Sequence, residues 1–434
     1  MRQSRFENAR SFFNYSNVHE VSGVSSTYRR LLRREVVDLC LLIFIADVVV
    51  GIQIPVFPLY AVALGTSLGL LGVITAMRGL TWLLASVPVG ILSDRLDRKT
   101  VLTAGMLIYA VAFVLYALAP SPGWIFLTRA LQAVAMVATF PLGIAYIGDV
   151  VEKRDRGAAI GLYTTAMGAG FAVGPLIGSW LGAVAGYPAS FMTGAVLALA
   201  GAVFAWRRLI RKKILAEDGT TPARAFDLRA LRGLLREPRV VMACVANMAM
   251  TFSMSGAIFT YFPIYARGVG ISTVTIGSLF AWRAIASASG RLPMGPFSSR
   301  LPAHWTLTAV LVAEAGIVLA ISRTDSVFAL TFLLIVEGLF FGVFLVASQS
   351  AVADASGEAN RGAAIGLFWM AGSFGELFGL SALGLVAQTM GVIIAFEVVT
   401  GTVAVAAATV LTLGWLAHAR ASRETATGGW PAKT

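Results

Sequence analysis

Long apolar runs recur along the whole chain, and they constrain the fold more than any other feature of the sequence. Twelve of them approach or exceed the ~20 residues that a helix needs to cross a ~30 Å hydrocarbon core. Backbone groups must be paired inside lipid, and continuous runs of this length exclude the alternating pattern of a membrane barrel. The sequence therefore predicts an all-α polytopic membrane protein with twelve transmembrane helices, at about 36–62, 68–92, 100–119, 124–148, 158–185, 189–206, 240–265, 274–298, 304–322, 327–351, 362–387 and 391–416.

The composition excludes a water-soluble enzyme. Of the 434 residues 57% are hydrophobic and 13% are charged, whereas soluble domains have about 45–50% and about 25%. The two cysteines, Cys40 and Cys244, lie inside apolar runs and offer no disulfide framework or metal site. The sequence contains none of the common phosphate-binding or hydrolase motifs. We therefore expect neither enzymatic activity nor a cofactor or metal.

The basic residues predict the orientation in the membrane. With a cytoplasmic N-terminus, 28 of the 34 Lys and Arg residues fall in inner tails and loops, and only Arg267 and Arg323 fall in outer loops. This asymmetry is the one that orients membrane proteins, so the net charge of +12 does not indicate nucleic-acid binding. We expect a multi-pass protein of the cell inner (plasma) membrane with both termini in the cytoplasm.

The same charges divide the chain into five parts. Within the basic linker, 226–235 is amphipathic and either lies on the inner leaflet of the lipid bilayer or is simply solvated. The predicted parts are an N-terminal tail (1–35), a six-helix half (36–206), the linker (207–239), a second six-helix half (240–416) and a C-terminal tail (417–434).

The two halves are related by an internal repeat at an offset of 205 residues. The sequence Arg-Gly-Ala-Ala-Ile-Gly-Leu occurs identically at 156–162 and 361–367, and Arg78 and Arg283 are equivalent at this offset. Because each half has six helices, the copies have the same orientation in the membrane. A central cavity is therefore expected between two pseudo-symmetric halves.

The loop after the second run carries a charged glycine motif. It consists of Gly90, Asp94, Arg95, Arg98 and Lys99. It resembles the signature G-x-L-x-D-R-x-G-R-K of the major facilitator superfamily, with Asp97 in place of the second glycine, and its C-terminal copy at 295–300 lacks the acid. The resemblance implies a monomeric carrier of small molecules that works by alternating access, with this loop in its cytoplasmic gate.

Helix five contains glycines at a spacing of four residues, which permits close packing of two helices. The segment with Gly170, Gly174, Pro175 and Gly178 resembles the motif of the drug:proton antiporter branch. A packing stripe without any functional specificity is the alternative.

Ionisable residues inside the runs are the candidates for proton coupling, because low-dielectric surroundings favour a neutral carboxyl group that can load and release a proton. Arg129 and Gln132 resemble the family motif R-x-x-Q-G. The resemblance places helices one, four, seven and ten around the cavity and helices three, six, nine and twelve outside it. Asp47 and Glu337 therefore rank first, followed by Glu376 and Arg129, and structural or interfacial roles are expected for Glu314 and Glu397. A static pair between an acid and Arg78, Arg129 or Arg283 is the alternative.

Helix seven has a stripe of Met and aromatic residues that would suit hydrophobic or cationic solutes, although such a stripe is often ordinary packing. The substrate-cavity candidates are Gln132, Asn247, Met250, Phe252, Met254, Arg78 and Arg283. We predict proton-coupled efflux of small hydrophobic or cationic compounds. The alternatives are a proton-coupled or facilitated carrier of a sugar or organic acid and, third, a receptor or scaffold that does not transport.

Overall fold

The computed structural model describes residues 33–152, 154–210, 232–291 and 302–426. Several sequence predictions fall outside these residues: most of the N-terminal tail, the linker from 211 to 231 with the start of its amphipathic segment, the second copy of the glycine loop at 295–300, and the end of the chain.

All of the regular structure among the described residues is helical. The first half contains α1 (Arg34–Ala63), α2 (Leu68–Arg95), α3 (Arg98–Ala117), α4 (Pro122–Val150), α5 (Arg156–Val184) and α6 (Tyr187–Arg208). The second half contains α7 (Pro238–Gly268), α8 (Thr273–Arg291), α9 (Ala303–Ile321), α10 (Val327–Ser356), α11 (Asn360–Met390) and α12 (Val392–Ala426). The prediction of an all-α polytopic membrane protein is confirmed.

Eleven of these helices are long and apolar enough to cross a membrane, counting only the described residues. The remaining helix, α8, lies where the sequence predicts the eighth span, and its described part carries Arg283 and Arg291 as well as several serines. This helix can carry polar residues because it packs against α5 and α10, so part of its surface faces protein.

Two helices contain turns wound as π-helix. In α7 the π-segment is Met254–Tyr261, and in α11 it is Gly375–Gly379. A π-turn disrupts the regular hydrogen-bond ladder and occurs often at functional sites. Both π-segments lie at the level where the two halves of the molecule meet.

The chain reverses direction between α10 and α11 without a clear loop. The sequence predicts a break at about 352–361, but helical geometry runs without interruption from Val327 to Phe374. On α7, the hydroxyl of Tyr265 donates a hydrogen bond to the carbonyl of Thr324, just before α10, and the hydroxyl of Tyr261 donates to the carbonyl of Leu68. The backbone N–H of Gly69 donates to the side chain of Gln388 near the end of α11. Both outer ends therefore lie on one side, so the reversal is made by a sharp bend within the helical segment.

The 205-residue repeat extends to the element boundaries. Helices α8, α9, α10 and α12 begin 205 residues after α2, α3, α4 and α6. In the described part of the chain four glycines have positive φ, and they form two pairs at the same offset, Gly65 with Gly270 and Gly186 with Gly391. Each ends a helix or begins the next one with a backbone conformation that glycine adopts readily. The two halves are therefore built on the same pattern of turns.

Each half has its own apolar core. One buried cluster is formed by residues of α1 to α6, and a second is formed largely by α7 to α12. Large apolar side chains such as Leu84, Phe328 and Trp415 are exposed on the outside. Such an exterior suits a lipid solvent.

Candidate functional site

The two halves are joined along helices α2 and α11. A Cβ atom at Gly72 would overlap the backbone of α11 at Leu380 and Gly384, and one at Gly69 would lie 3.6 Å from the Cβ of Gln388. The backbone N–H of Gly69 donates to the side chain of Gln388 at 3.3 Å. Small residues thus let these two helices approach closely across the middle of the molecule.

A second seam between the halves runs along α5 and α8. A Cβ at Gly277 would lie 2.6 Å from the carbonyl oxygen of Pro175 and against Ser179. The rings of Phe171 on α5 and Phe259 on α7 are 6.1 Å apart. The two seams are related by the same pseudo-symmetry as the repeat.

The described polar contacts between the two halves lie on one side of the molecule. Four hydrogen bonds between described residues of the two halves involve Leu68, Gly69 or Arg78 on α2. At the other end of the same helix, a Cβ at Gly90 would meet no atom within 4 Å. The same holds for Gly161 and Gly366, in the two copies of the repeated heptapeptide. The described contacts therefore close the halves on the side opposite the N-terminus, whereas these glycines on the N-terminal side have open space around them.

An ion pair between Arg78 of α2 and Glu376 of α11 connects the two halves. Nε of Arg78 donates to Oε1 of Glu376 at 2.7 Å, and its Nη2 donates to Oγ of Ser255 at 3.0 Å. Glu376 lies in the π-segment of α11, and Ser255 lies in that of α7. The pair is largely buried, with 18% and 8% of the two side chains exposed. Arg78 therefore holds both π-turns of the second half to the first half.

Arg129 is surrounded by amides and aromatic rings. Its Nη1 donates to Oε1 of Gln132 at 3.0 Å and to Oε1 of Gln53 at 3.3 Å. The guanidinium also lies 4.0 Å from the ring centroid of Phe57, where a cation is attracted by the ring face. Arg129 thus has no acid at ion-pair distance among the described residues, although Arg78 and Glu376 act on it electrostatically.

Glu337 and Arg283 form a buried ion pair inside the second half. Nη2 of Arg283 donates to Oε1 of Glu337 at 2.7 Å, and its Nε contacts Oε2 of the same carboxylate. The guanidinium lies beside the rings of Phe259 and Phe341. A Cβ at Gly338 would overlap the carbonyl oxygen of Arg283, so α8 and α10 are in backbone contact at this pair.

Asp47 is buried in the first half, but its neighbours differ from those expected. Its Cβ would lie 2.9 Å from a Cβ added to Gly170 of α5. Oδ2 has no hydrogen-bond partner among the described residues. The cation that acts on Asp47 electrostatically is Arg291 of α8, rather than Arg129. Arg129 is instead held by the amides of Gln53 and Gln132.

Glu314, for which a structural or interfacial role is expected, is fully buried within the second half, although α9 also carries exposed residues such as Trp305 and Val312. Oγ of Ser253 donates to its Oε1 at 2.6 Å. Glu397, in contrast, is partly exposed and pairs with Arg323 at 2.6 Å at the outer end of α12. One acid therefore has an interfacial position, and the other belongs to the interior.

The glycine loop makes its described contacts within the first half. Arg98 pairs with Asp149 at 3.4 Å and donates to Ser93, whose hydroxyl donates to the carbonyl of Gly90. Asp97 accepts from the backbone of Thr100 and thereby caps α3, which explains an acid where the family signature has glycine. Lys99 lies over Trp206. Asp94 and Arg95 end α2, and the position of the Asp94 side chain is outside the description, so their gating role stays a prediction.

The glycine stripe of α5 lies directly on α1. Added Cβ atoms at Gly170 and Gly178 would overlap the carbonyl oxygens of Phe44 and Ile52, and one at Gly174 would lie 2.6 Å from Cα of Gly51. Pro175 contributes to the same contact, 2.9 Å from a Cβ at Gly51. Three successive glycines therefore permit backbone contact between the two helices.

The candidates on α7 mostly contact protein. The Nδ2 of Asn247 donates to the carbonyl of Phe368 at 2.7 Å, which ties α7 to α11. Met250 and Phe252 belong to the core of the second half, whereas Met254 is partly buried. In this conformation Met250 and Phe252 are packed within the second half, and their role in a substrate cavity stays a prediction.

Sequence reasoning missed Ser253, Ser255 and Gln53 as polar partners.

The repeat contained a signal for the different pairing of Arg78 and Arg283, because position 132 is Gln where the equivalent position 337 is Glu. Arg78 therefore lacks the acid that its equivalent Arg283 has, and it pairs with the opposite half instead. Among the described residues, no group of three or more His, Cys, Asp or Glu side chains could hold a metal ion.

Comparisons with known proteins agree with this architecture. The family model described as Major Facilitator Superfamily matches residues 39–281 and 266–433. An uncharacterized MFS-type transporter of Methanocaldococcus jannaschii is 22% identical over 79% of this chain and 88% of its own length. Multidrug resistance protein 2 of Bacillus subtilis is 24% identical over 55% of this chain and 62% of its own length.

The fold is also similar to solved structures. The crystal structure of a mutant of the nucleoside transporter NupG superposes with a TM-score of 0.75 at 17% identity, covering 87% of this chain and 99% of that chain. At this identity the likeness shows the fold. Together with the family match over most of the sequence, it establishes that the chain belongs to the Major Facilitator Superfamily and is a transporter rather than an enzyme.

Proposed function

We propose that this protein is a secondary active transporter that exports small hydrophobic or cationic compounds in exchange for protons. The observation that carries the proposal is the one-sided closure of the two halves around the Arg78–Glu376 ion pair. A carrier that alternates its access must be able to close one side while the other is open. We further propose that it acts as a monomer in the inner (plasma) membrane with both termini in the cytoplasm, so that this conformation opens inward.

Two features support an apolar or cationic substrate. Three aromatic side chains, Phe171, Phe259 and Phe280, form a continuous series next to the closed seam, with ring centroids 6.1 and 5.9 Å apart. Ring faces attract cations and apolar groups alike. The name of the Bacillus subtilis relative, Multidrug resistance protein 2, agrees with this substrate class.

A second candidate function is transport of a polar or acidic metabolite. The observation that favours it is an excess of positive charge between the halves, where Arg78 and Arg129 interact with a single acid, Glu376. A substrate carboxylate or phosphate could balance that charge by bidentate pairing with an arginine.

Reconstitution in liposomes distinguishes these functions. We expect an imposed pH gradient to drive accumulation of a lipophilic cation such as tetraphenylphosphonium, with protons moving in the opposite direction. If only sugars, organic acids or nucleosides collapse the gradient, the metabolite carrier is correct. If no solute moves, the protein is a scaffold, and the proposal is wrong.

Removing the buried acids tests the coupling. We predict that at least one of Asp47→Asn, Glu337→Gln and Glu376→Gln abolishes accumulation driven by a pH gradient and leaves downhill exchange at least partly intact. The reason is that the alternating motion does not itself need a proton, whereas uphill transport needs a group that binds one. Both fluxes are measured in the same vesicles, with Glu397→Gln as the control. Undiminished uphill transport in the triple variant would place the coupling group elsewhere.

A further inference from the structure

A second buried acid lies next to the Arg283–Glu337 pair. Glu314 and Glu337 are both 0% exposed, and they act on one another electrostatically. Arg283 is the one cation that acts on Glu314 among the described residues. Ser253 donates to Oε1 of Glu314, and Oε2 has no hydrogen-bond partner in the described part of the chain. Two buried carboxyl groups therefore lie within electrostatic range of a single guanidinium in the interior of the second half, and Glu337 is the one in ion-pair contact with it.

The charges around this site do not balance if both acids are ionised. An unpaired carboxylate in a low-dielectric interior is costly, and binding one proton removes the excess charge. The other charges near this site interact elsewhere as well: Arg291 interacts electrostatically with Asp47 as well as with Arg283, and Glu397 on α12 is paired with Arg323. One bound proton makes the site neutral.

We propose that Glu314 and Glu337 bind one proton between them, with Arg283 as their shared counter-charge, and that this is the proton exchanged during transport. Glu337 accepts a hydrogen bond from Arg283 through Oε1 and lies in ion-pair contact with it through Oε2, so the proton resides on Oε2 of Glu314, which has neither kind of contact among the described residues. The second part of the proposal rests on the proposed function, since it requires a proton-coupled carrier.

The backbone of α7 links this proton site to the contact between the halves. Ser253 holds Glu314, and Ser255, two residues later, accepts from Arg78 of the first half. Met254, between them, begins the π-segment of α7. If binding or release of the proton shifts the hydrogen-bond register of this turn, Ser255 moves and its hydrogen bond with Arg78 is weakened. The π-segment is thus the element through which proton release would open the closed side.

Infrared spectroscopy of the purified protein tests the first part without any transport. At neutral pH we expect the carbonyl stretch of a protonated carboxylic acid, which Glu314→Gln abolishes and Glu397→Gln leaves unchanged. Ser253→Ala should shift the band, because the hydroxyl group bonded to the same carboxyl is lost. Absence of the band in the wild type, or its loss in Asp47→Asn but not in Glu314→Gln, would overturn the proposal.

Thermal stability provides a second measurement. Glu314→Gln and Glu337→Gln each leave one carboxylate with Arg283, so each single variant should unfold near the wild-type temperature. The double variant leaves Arg283 buried without a counter-charge and should unfold well below either single variant. A double variant as stable as the single variants would contradict the shared counter-charge.

Transport in vesicles tests the second part. If wild-type protein shows no proton-driven flux with any solute, the proposed function fails, while the infrared result still decides the proton site. If the wild type is coupled, Glu314→Gln should reduce accumulation to the equilibrium level and retain downhill exchange. Full uphill transport in Glu314→Gln would show that the coupled proton binds elsewhere.

Discussion

Transport is expected to stop when cysteines introduced by Gly69→Cys and Gln388→Cys are oxidised to a disulfide, and to resume when the disulfide is reduced. A Cβ at position 69 would lie 3.6 Å from the Cβ of Gln388, within the range of about 3.5–4.5 Å that disulfides require. The bridge joins α2 to α11 and prevents the closed side from opening. Substrate flux in vesicles before and after reduction measures the effect, in a background with Cys40→Ala and Cys244→Ala.

Two controls make this test specific. Each single cysteine variant should transport with or without oxidant. The pair Gly161→Cys and Gly366→Cys, at equivalent positions of the repeat on the open side, should not crosslink in the described conformation, because added Cβ atoms there meet nothing within 4 Å. A bridged Gly69→Cys/Gln388→Cys protein that transports at the wild-type rate would show that this seam does not open during the cycle.

Gly178→Leu is expected to abolish transport and to lower the stability by about 3 kcal/mol, the upper end of the usual range for an overpacked core. The first carbon of the new side chain would already overlap the carbonyl oxygen of Ile52, so α1 and α5 would be forced apart. Gly174→Leu should have a similar effect through Gly51 and Val48. The unfolding temperature in detergent and the vesicle flux measure the two consequences.

Gly401→Leu is the matched control for the glycine variants. A Cβ at Gly401 on α12 would meet no atom within 4 Å, so the same substitution should leave stability and transport unchanged. If Gly174→Leu and Gly178→Leu both fold and transport like the control, helices α1 and α5 do not pack as the structure describes.

The sequence by itself determined the helices and their repetition. Lipid cannot hydrogen-bond to the backbone, so an apolar run of sufficient length has essentially one regular structure available, and its ends can be read to within a few residues. The equivalence of Arg78 and Arg283 was also visible, because a repeat at constant offset is a property of the sequence alone. The buried acids were identified in the same way, since an ionisable residue stands out in an apolar run.

Only the tertiary structure decided which of these groups meet. Arg78 and Glu376 are separated by 298 residues, and no local pattern indicates that they form an ion pair across the halves. The family-based ranking gave Glu314 a structural or interfacial role, and only packing shows that its carboxyl group lies in the interior beside Ser253. Helix formation depends on hydrogen bonds between residues four apart, but the pairing of buried charges depends on how helices distant in sequence are rotated and packed against one another.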